Sequence, residues 1–248
     1  MTANATPAAL SMKGRRAIVT GAASGIGRAT ALALAALGAD LLLVDLSPMD
    51  ATADEVRAYG VACSVAQGDL TDPAFLSGLF GTERVHAVAH CAGILSRLPF
   101  DEDPKWMERF HRMMDVNVRV PLELAQAALN HMGDHGGGNI VLVGSVAGKT
   151  GGTSLSTPPD YSASKGAVHA IVKWMSRKAI QRKVLVNAVA PGPVETPMTH
   201  GSNNGPNLPL GRMGRAEELA WPIAFLCTDG AAYMSGAILD VNGGAFVG

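Results

Sequence analysis

The stretch from Arg16 to Leu37 constrains the fold more than any other. Arg16-Ala-Ile-Val-Thr20 is a short apolar run with β-branched residues, Gly21-Ala-Ala-Ser-Gly25-Ile-Gly27 is a glycine loop, and Arg28 to Leu37 are helix formers. The order strand, glycine loop, helix is that of a βαβ unit in a parallel sheet. At such a junction the glycines let backbone approach a phosphate closely, while the helix N-terminus offers free N–H groups and a partial positive charge. The spacing is G-x-x-x-G-x-G rather than the G-x-G-x-x-G dinucleotide fingerprint, and glycine-rich turns are common. The loop alone therefore does not prove a nucleotide site.

The next apolar run, Asp40 to Val44, ends in Asp45, where an acid can accept both hydrogen bonds of an adenosine ribose diol. A 2′-phosphate there would meet a negative charge, so Asp45 argues for NAD over NADP. The plainer alternative is an Asp that caps the turn at Ser47-Pro48. Further on, Asp69 follows the strand Val61 to Gln67, at the sheet edge where ligands bind in open α/β folds. An adenine-edge contact and turn capping both fit it.

The chain has 248 residues, 48% hydrophobic and 17% charged, with a formal net charge of −1. That size suits one open α/β domain, and the charge gives no reason to expect nucleic acid or an anionic membrane as partner. A small-molecule ligand is the better default. Cys63, Cys91 and Cys227 are scattered without a CxxC, which argues against a disulfide framework or zinc knuckle and fits a cytoplasmic compartment. Residues 1–12 read as a flexible N-terminal lead-in rather than a signal peptide, and residues 13–248 as a single domain. The later apolar stretches are too short to span a bilayer.

Val85 to His90 reads as a strand running into Cys91-Ala92-Gly93, followed by one amphipathic segment from Pro104 to Met132 that contains Asn117. Asn117 among valines either bonds a backbone carbonyl or holds a water. His131 and His135 stand four apart, but Gly133 and the Gly136-Gly137-Gly138 run should break any helix there, so no metal pair is expected. Asn139 to Gly144 is almost continuously apolar, as a strand buried on both faces should be, and it delivers Ser145 to its C-terminal end. Val146 to Pro159 reads as loop throughout.

Tyr161-Ser-Ala-Ser-Lys165 opens the next helix, so a phenol and an ammonium four residues apart share one face. A cation that favours the phenolate makes a phenol of ordinary pKa ~10 more useful for proton transfer near neutrality. Ser145, Tyr161 and Lys165 converge on the sheet edge that also carries the glycine loop. Lys183 to Ala190 is a further strand, and Pro191-Gly-Pro-Val-Glu-Thr196 is a rigid turn at its end, with Thr196 placed to meet a carboxamide. Residues 197–214, rich in Asn, Gly and Pro, read as a substrate lid before the last helix and the strand Ala237 to Val241. His200, Asn203, Asn204 and Asn207 of the lid, with Arg97, form a weaker candidate for a polar substrate pocket.

Together Thr20-Gly-Ala-Ala-Ser-Gly25-Ile-Gly27, Asp69, Ala92-Gly93, Asn117, Ser145, Tyr161-Ser-Ala-Ser-Lys165 and Pro191-Gly192 followed by Thr196 resemble the short-chain dehydrogenase/reductase family. The resemblance implies a doubly wound, Rossmann-like α/β fold, with a seven-stranded parallel sheet, helices on both faces and a homotetramer or homodimer. It implies NAD(P)-dependent interconversion of an alcohol and a carbonyl, with Tyr161 as general acid/base and Ser145 polarising the substrate oxygen. Lys165 would lower the Tyr161 pKa and hold the nicotinamide ribose, and Asn117 would position a water. The cofactor would meet Gly21, Ser24, Gly25, Ile26, Gly27, Asp45, Asp69, Leu70, Ala92, Gly93, Tyr161, Lys165, Pro191, Gly192, Val194 and Thr196.

Two positions depart from the family pattern. His90-Cys91 stands where Asn-Asn is usual, and the gap from Ser145 to Tyr161 is a few residues longer than is common. The leading expectation is an NAD-dependent dehydrogenase, or carbonyl reductase, for a small secondary alcohol or polyol. A 3-oxoacyl-thioester reductase is second, and a non-catalytic NAD-binding regulatory protein a distant third.

Overall fold

A computed structural model of the chain describes residues 6–96, 103–152, 157–201 and 208–248. The main sheet contains β1 (Arg16–Thr20), β2 (Asp40–Asp45), β3 (Cys63–Gln67), β4 (Ala87–His90), β5 (Gly138–Val143), β6 (Val184–Pro191) and β9 (Ile238–Val241). Its seven strands run in the order β3-β2-β1-β4-β5-β6-β9, and every pair is parallel. Two short strands, β7 (Val194–Glu195) and β8 (Gly214–Arg215), pair separately.

Side chains of the central strands alternate between two apolar layers, which is what near-continuous hydrophobic strands require. Ala17 and Val19 of β1 face a core with Leu34 of α1 (Gly25–Ala36), Val56 of α2 (Asp50–Arg57) and Ile223 of α8 (Ala216–Leu226). Ile18 faces the opposite core, with Leu76 of α3 (Pro73–Gly78), Leu124 of α5 (Val120–Asp134) and Val172 of α7 (Pro159–Ala179). This is the doubly wound arrangement expected. Because the chain leaves β1 for β2 on one side and returns to β4 on the other, a crevice opens at the C-terminal ends of β1 and β4.

Local structure departs from the sequence reading at three places. The segment predicted as one amphipathic helix is α4 (Trp106–Met114), a π turn over Asp115–Arg119, and then α5. Pro121 has no N–H to give the carbonyl of Asn117, and the ladder shifts one residue, with the Val120 N–H bonded to the Asp115 carbonyl. Gly133 does not break α5, which runs on to Asp134, and the His131 and His135 rings stack with centroids 4.3 Å apart. The helix ends instead where Gly137 N–H bonds the Met132 carbonyl beside Gly136, whose φ is 89°.

The stretch read as loop after Ser145 contains a short helix, α6 (Ala147–Thr150), started by the Ala147 N–H donating to Ser145 Oγ at 3.1 Å. Residues 153–156 of that stretch lie outside the described residues. So do Arg97, Asn203, Asn204 and Asn207 of the suggested polar pocket. Both ends of the suggested lid are tied together, since Val194 pairs with Gly214 and Glu195 with Arg215. Among the described residues no helix is long and apolar enough to cross a membrane.

Candidate active site

The glycine loop closes on itself and on the end of β4. Gly21 has φ 70°, and a Cβ there would lie 2.8 Å from the Ala92 nitrogen; a Cβ on Gly27 would lie 2.1 Å from the Gly21 carbonyl oxygen. Neither position tolerates a side chain without opening the loop. The crevice above it is a cavity of about 1110 Å³, lined by Gly21, Ser24, Gly25 and Ile26 of the loop together with Asp45, Asp69, Leu70, Ala92, Gly93 and Thr196. Ten of the residues expected to meet a cofactor thus share one cleft. Gly27 lies beneath the loop, and Pro191, Gly192 and Val194 do not line the cavity; Gly192 packs against Asn242 instead. His111 and Arg112 of α4 also line it, which the sequence did not suggest.

Asp45 caps its turn and also reaches the cleft. It lines the cleft at the end of β2, and its carboxylate accepts the Ala23 N–H at 3.0 Å and the Ser47 N–H at 2.9 Å. These bonds fix the charge between the glycine loop and the following turn. Asp69 likewise lines the cleft and caps its turn, accepting the Thr71 N–H at 2.8 Å. That bond, with a smaller contribution from Arg112, holds its carboxyl below the usual carboxylate range.

His90 takes up the space at the end of β4. It pairs in register with Thr20 on β1, and its Nδ1 lies 2.8 Å from Thr20 Oγ1, which accepts the Ala92 N–H at 3.3 Å. Burial, and secondarily the Lys165 charge, pushes the imidazole down to about 3, so it is neutral throughout the physiological range. The chain His90–Thr20–Ala92 thereby ties β4 to β1 and holds the Ala92-Gly93 backbone under the cleft. Cys91 lines the cleft, but burial pushes its thiol up to about 12 and leaves it unreactive.

Ser145, Tyr161 and Lys165 meet beside this cleft, as their spacing implies. The Ser145 hydroxyl is close enough to the Tyr161 phenol to favour its ionised form, and Lys165 Nζ lies 5.7 Å from the centre of the Tyr161 ring. Lys165 is buried and donates to the Val143 carbonyl at 3.0 Å. Burial pushes its ammonium down to about 8. The expectation that Lys165 lowers the Tyr161 pKa is not met in the protein by itself. Burial of the phenol itself raises it above its ordinary value, only partly offset by the neighbouring Ser145 hydroxyl.

Asn117 is buried in the π turn and reaches both neighbouring elements. Its Nδ2 donates to the Ile94 carbonyl at 2.9 Å and to Ser164 Oγ at 3.2 Å, and its Oδ1 accepts the Ile94 N–H at 2.9 Å. The structural reading of Asn117 is therefore correct as far as it goes. The same Oδ1 also lies near Lys165: a Cβ built on Gly93 would lie 3.2 Å from it and 3.5 Å from Lys165 Nζ. Three features went unread: His90 as partner of Thr20, the π turn, and the approach of α4 to the cleft. The π turn left one signal in the sequence, Pro121 inside an otherwise helical pattern.

A family model described as Enoyl-(Acyl carrier protein) reductase matches residues 21–245. The 3-oxoacyl-acyl-carrier-protein reductase of Pseudomonas aeruginosa is 32% identical over 253 residues, covering 96% of this chain and all of the relative. A short-chain type dehydrogenase/reductase from Mycobacterium marinum superposes with a TM-score of 0.90 at 30% identity, over 97% of this chain and 98% of that one. A candidate 2-deoxy-D-gluconate 3-dehydrogenase from Agrobacterium tumefaciens, solved with bound NADP, gives 0.88 at 30% identity, over 96% and 98% of the two chains. With the whole chain aligned in this way and the fold in agreement, the protein is an oxidoreductase that belongs to the short-chain dehydrogenase/reductase family.

Proposed function

We propose that this protein reduces the 3-oxo group of an acyl thioester, or carries out the reverse oxidation, with Tyr161 as the proton donor and acceptor. The observation that carries the reaction type is the grouping of the Ser145 hydroxyl, the Tyr161 phenol and buried Lys165, its Nζ 5.7 Å from the Tyr161 ring, at the edge of a glycine-lined cleft. The thioester is favoured by the Pseudomonas relative, and it reverses the order of preference that the sequence suggested. A small secondary alcohol or polyol is the second reading, favoured by Asp45 and by the name of the Agrobacterium structure.

The residues suit a nicotinamide dinucleotide: Gly21 leaves no room for a side chain where backbone must approach phosphate, and Asp45 presents a fixed acceptor pair for a ribose diol. We assign NAD on that ground. When bound, the cofactor supplies or accepts the hydride. The protein's part is proton and charge handling. Ser145 and Tyr161 direct two donors at the substrate oxygen, where negative charge develops. Tyr161 passes its proton to that oxygen or takes it back, which requires the phenol's raised pKa to fall when the site fills. Lys165 supplies the cation for that fall and holds the cofactor ribose, and Asn117 orders a water behind Lys165, next to Gly93. The remaining cleft residues, with Pro191, Gly192 and Val194, hold the cofactor.

We further assign the protein to the cytoplasm and read it as a homo-oligomer. Trp174, 58% exposed, and Leu122, 40% exposed, line an open groove between α5 and α7 that a second copy would cover. Light scattering checks the assembly. The substrate is tested by following NAD(P)H absorbance with acetoacetyl-CoA and with a panel of secondary alcohols and polyols. Turnover of acetoacetyl-CoA at least tenfold better in kcat/KM than any alcohol is expected; the opposite order selects the second reading.

A further inference from the structure

Outside the constellation just described, the chain buries a guanidinium and two carboxylates where α4 meets the first turn of α7. Arg109 of α4 has a side chain 11% exposed, and its partners Asp103 and Asp160 are 8% and 0% exposed. Asp103 is the residue from which the chain enters α4: it accepts the Lys105 N–H at 2.9 Å and takes Arg109 Nη1 at 2.5 Å. On its other side Arg109 Nε stands 3.8 Å from Asp160 Oδ2. Among the described residues neither carboxylate oxygen of Asp160, nor Nε or Nη2 of Arg109, has a hydrogen-bond partner. Among the described residues the charge of Asp160 is thus compensated by Arg109 at ion-pair distance and by the N-terminal turn of α7.

Such a cluster is a poor device for stability. Well-packed apolar residues at the same sites would serve as well or better, because desolvation offsets the attraction. What the cluster does have is position. Asp160 immediately precedes Tyr161, and four residues on from Asp160, Ser164 Oγ accepts from Asn117 Nδ2 at 3.2 Å. The segment that carries Arg109 and Asn117 therefore grips α7 on both sides of Tyr161, once through Asp160 and once through Ser164. Ser164 Oγ in turn donates to the Tyr161 carbonyl at 2.7 Å.

We propose that Arg109 is a positioning residue: by joining Asp103 to Asp160 it sets the first turn of α7, and with it the Tyr161 phenol, against the segment that holds Asn117. It does not touch the cleft, since neither it nor Asp160 lines the cavity. The inference rests on the assignment of Tyr161 as proton donor, so turnover by the unaltered protein and its loss in Tyr161→Phe are established first. Failure there counts against the functional reading.

The test then compares Arg109→Met, Arg109→Lys and the near-isosteric Asp160→Asn, reading kcat, KM, the Kd for NADH by fluorescence, and the thermal midpoint. Misplacing a reacting group by about an ångström costs on the order of a hundredfold. The expected result is a kcat ten- to hundredfold lower in Arg109→Met and Asp160→Asn, with the Kd for NADH within twofold of the unaltered protein. In Arg109→Lys the charge remains but the planar fork that spans two carboxylates is lost. There kcat stays low although the thermal midpoint recovers. Should Arg109→Met fail to fold, Asp160→Asn and Arg109→Lys decide. Unchanged kcat in folded variants would overturn the proposal, and so would a kcat loss matched by an equal loss of NADH affinity, which would mark a general loosening of the fold.

Discussion

Replacing Asp45 with Asn should move the cofactor preference toward NADPH, and the structure gives the size of the effect. The Asp45 carboxylate is held by the N–H groups of Ala23 and Ser47 at 3.0 and 2.9 Å, so its charge cannot swing away from an incoming 2′-phosphate. One unit of like charge at about 4 Å costs about 1 kcal/mol in bulk water and about 4 kcal/mol near a protein surface. Asp45 is half-buried at the mouth of an open cleft, so about 2 kcal/mol is a fair middle value, or about thirtyfold in kcat/KM. The Asn side chain retains one acceptor and turns an NH₂ toward one of the two backbone donors, which weakens both cofactors by about 1 kcal/mol. Initial rates with NADH and NADPH should therefore show the NADH:NADPH ratio of kcat/KM falling at least tenfold in Asp45→Asn. Raising ionic strength from roughly 0.05 to 0.5 M should shrink the preference of the unaltered protein, because screening shortens the reach of the charge. An unchanged ratio in the variant, or a preference for NADPH in the unaltered protein, would refute the reasoning.

Three other outcomes follow from the same geometry. Gly27→Ala places a methyl 2.1 Å from the Gly21 carbonyl oxygen, and the loop must open to admit it; we expect about 2 kcal/mol of destabilisation, a thermal midpoint roughly 4–8 °C lower, and NADH binding at least tenfold weaker by titration. Lys165→Met removes a buried ammonium whose pKa has fallen from 10.5 to about 8, so the variant should abolish turnover yet melt no lower than the unaltered protein at pH 7, checked by calorimetry. For His90, the native imidazole titrates near 3 against 6.5 when unfolded, so in between the unfolded state holds the extra proton. Stability should accordingly fall as pH drops from about 6.5 toward 3, by up to about 1.4 kcal/mol per pH unit. His169, pushed down to about 4 by burial, adds to the same slope, and urea midpoints at pH 7 and 5 should differ less in His90→Asn.

What could be read from the sequence was whatever a short local pattern dictates. The β1–glycine loop–α1 unit, the apolar run that ends at Ser145 and the Tyr161–Lys165 spacing are properties of consecutive residues, so the parallel sheet and the three residues at its edge followed from them. Asp45 and Asp69 were legible as positions at strand ends, and the structure gives each the turn-capping bond together with a place in the cleft. Illegible features depend on contacts distant in sequence or on an absent bond. The π turn that turns Asn117 inward arises because Pro121 lacks one N–H within an otherwise regular helical pattern. The His90–Thr20 bond joins residues 70 apart, and the Arg109–Asp160 pair joins two helices whose approach only the assembled sheet defines. The raised Tyr161 pKa of the protein by itself was illegible for a related reason: spacing tells that a cation is near, but burial, which acts on both groups, is a property of the fold.

The central claim is that Tyr161 moves the proton in a hydride-transfer reaction, and one measurement bears on it directly. Tyr161→Phe keeps the ring that packs near Lys165 and removes only the hydroxyl that meets Ser145. Assayed with NADH and acetoacetyl-CoA, or with NAD⁺ and whichever alcohol proves the better substrate, it should lose about 10²–10⁴-fold in kcat, the usual share of general acid–base catalysis, while its Kd for NADH stays within twofold. Turnover by Tyr161→Phe equal to that of the unaltered protein would contradict the account.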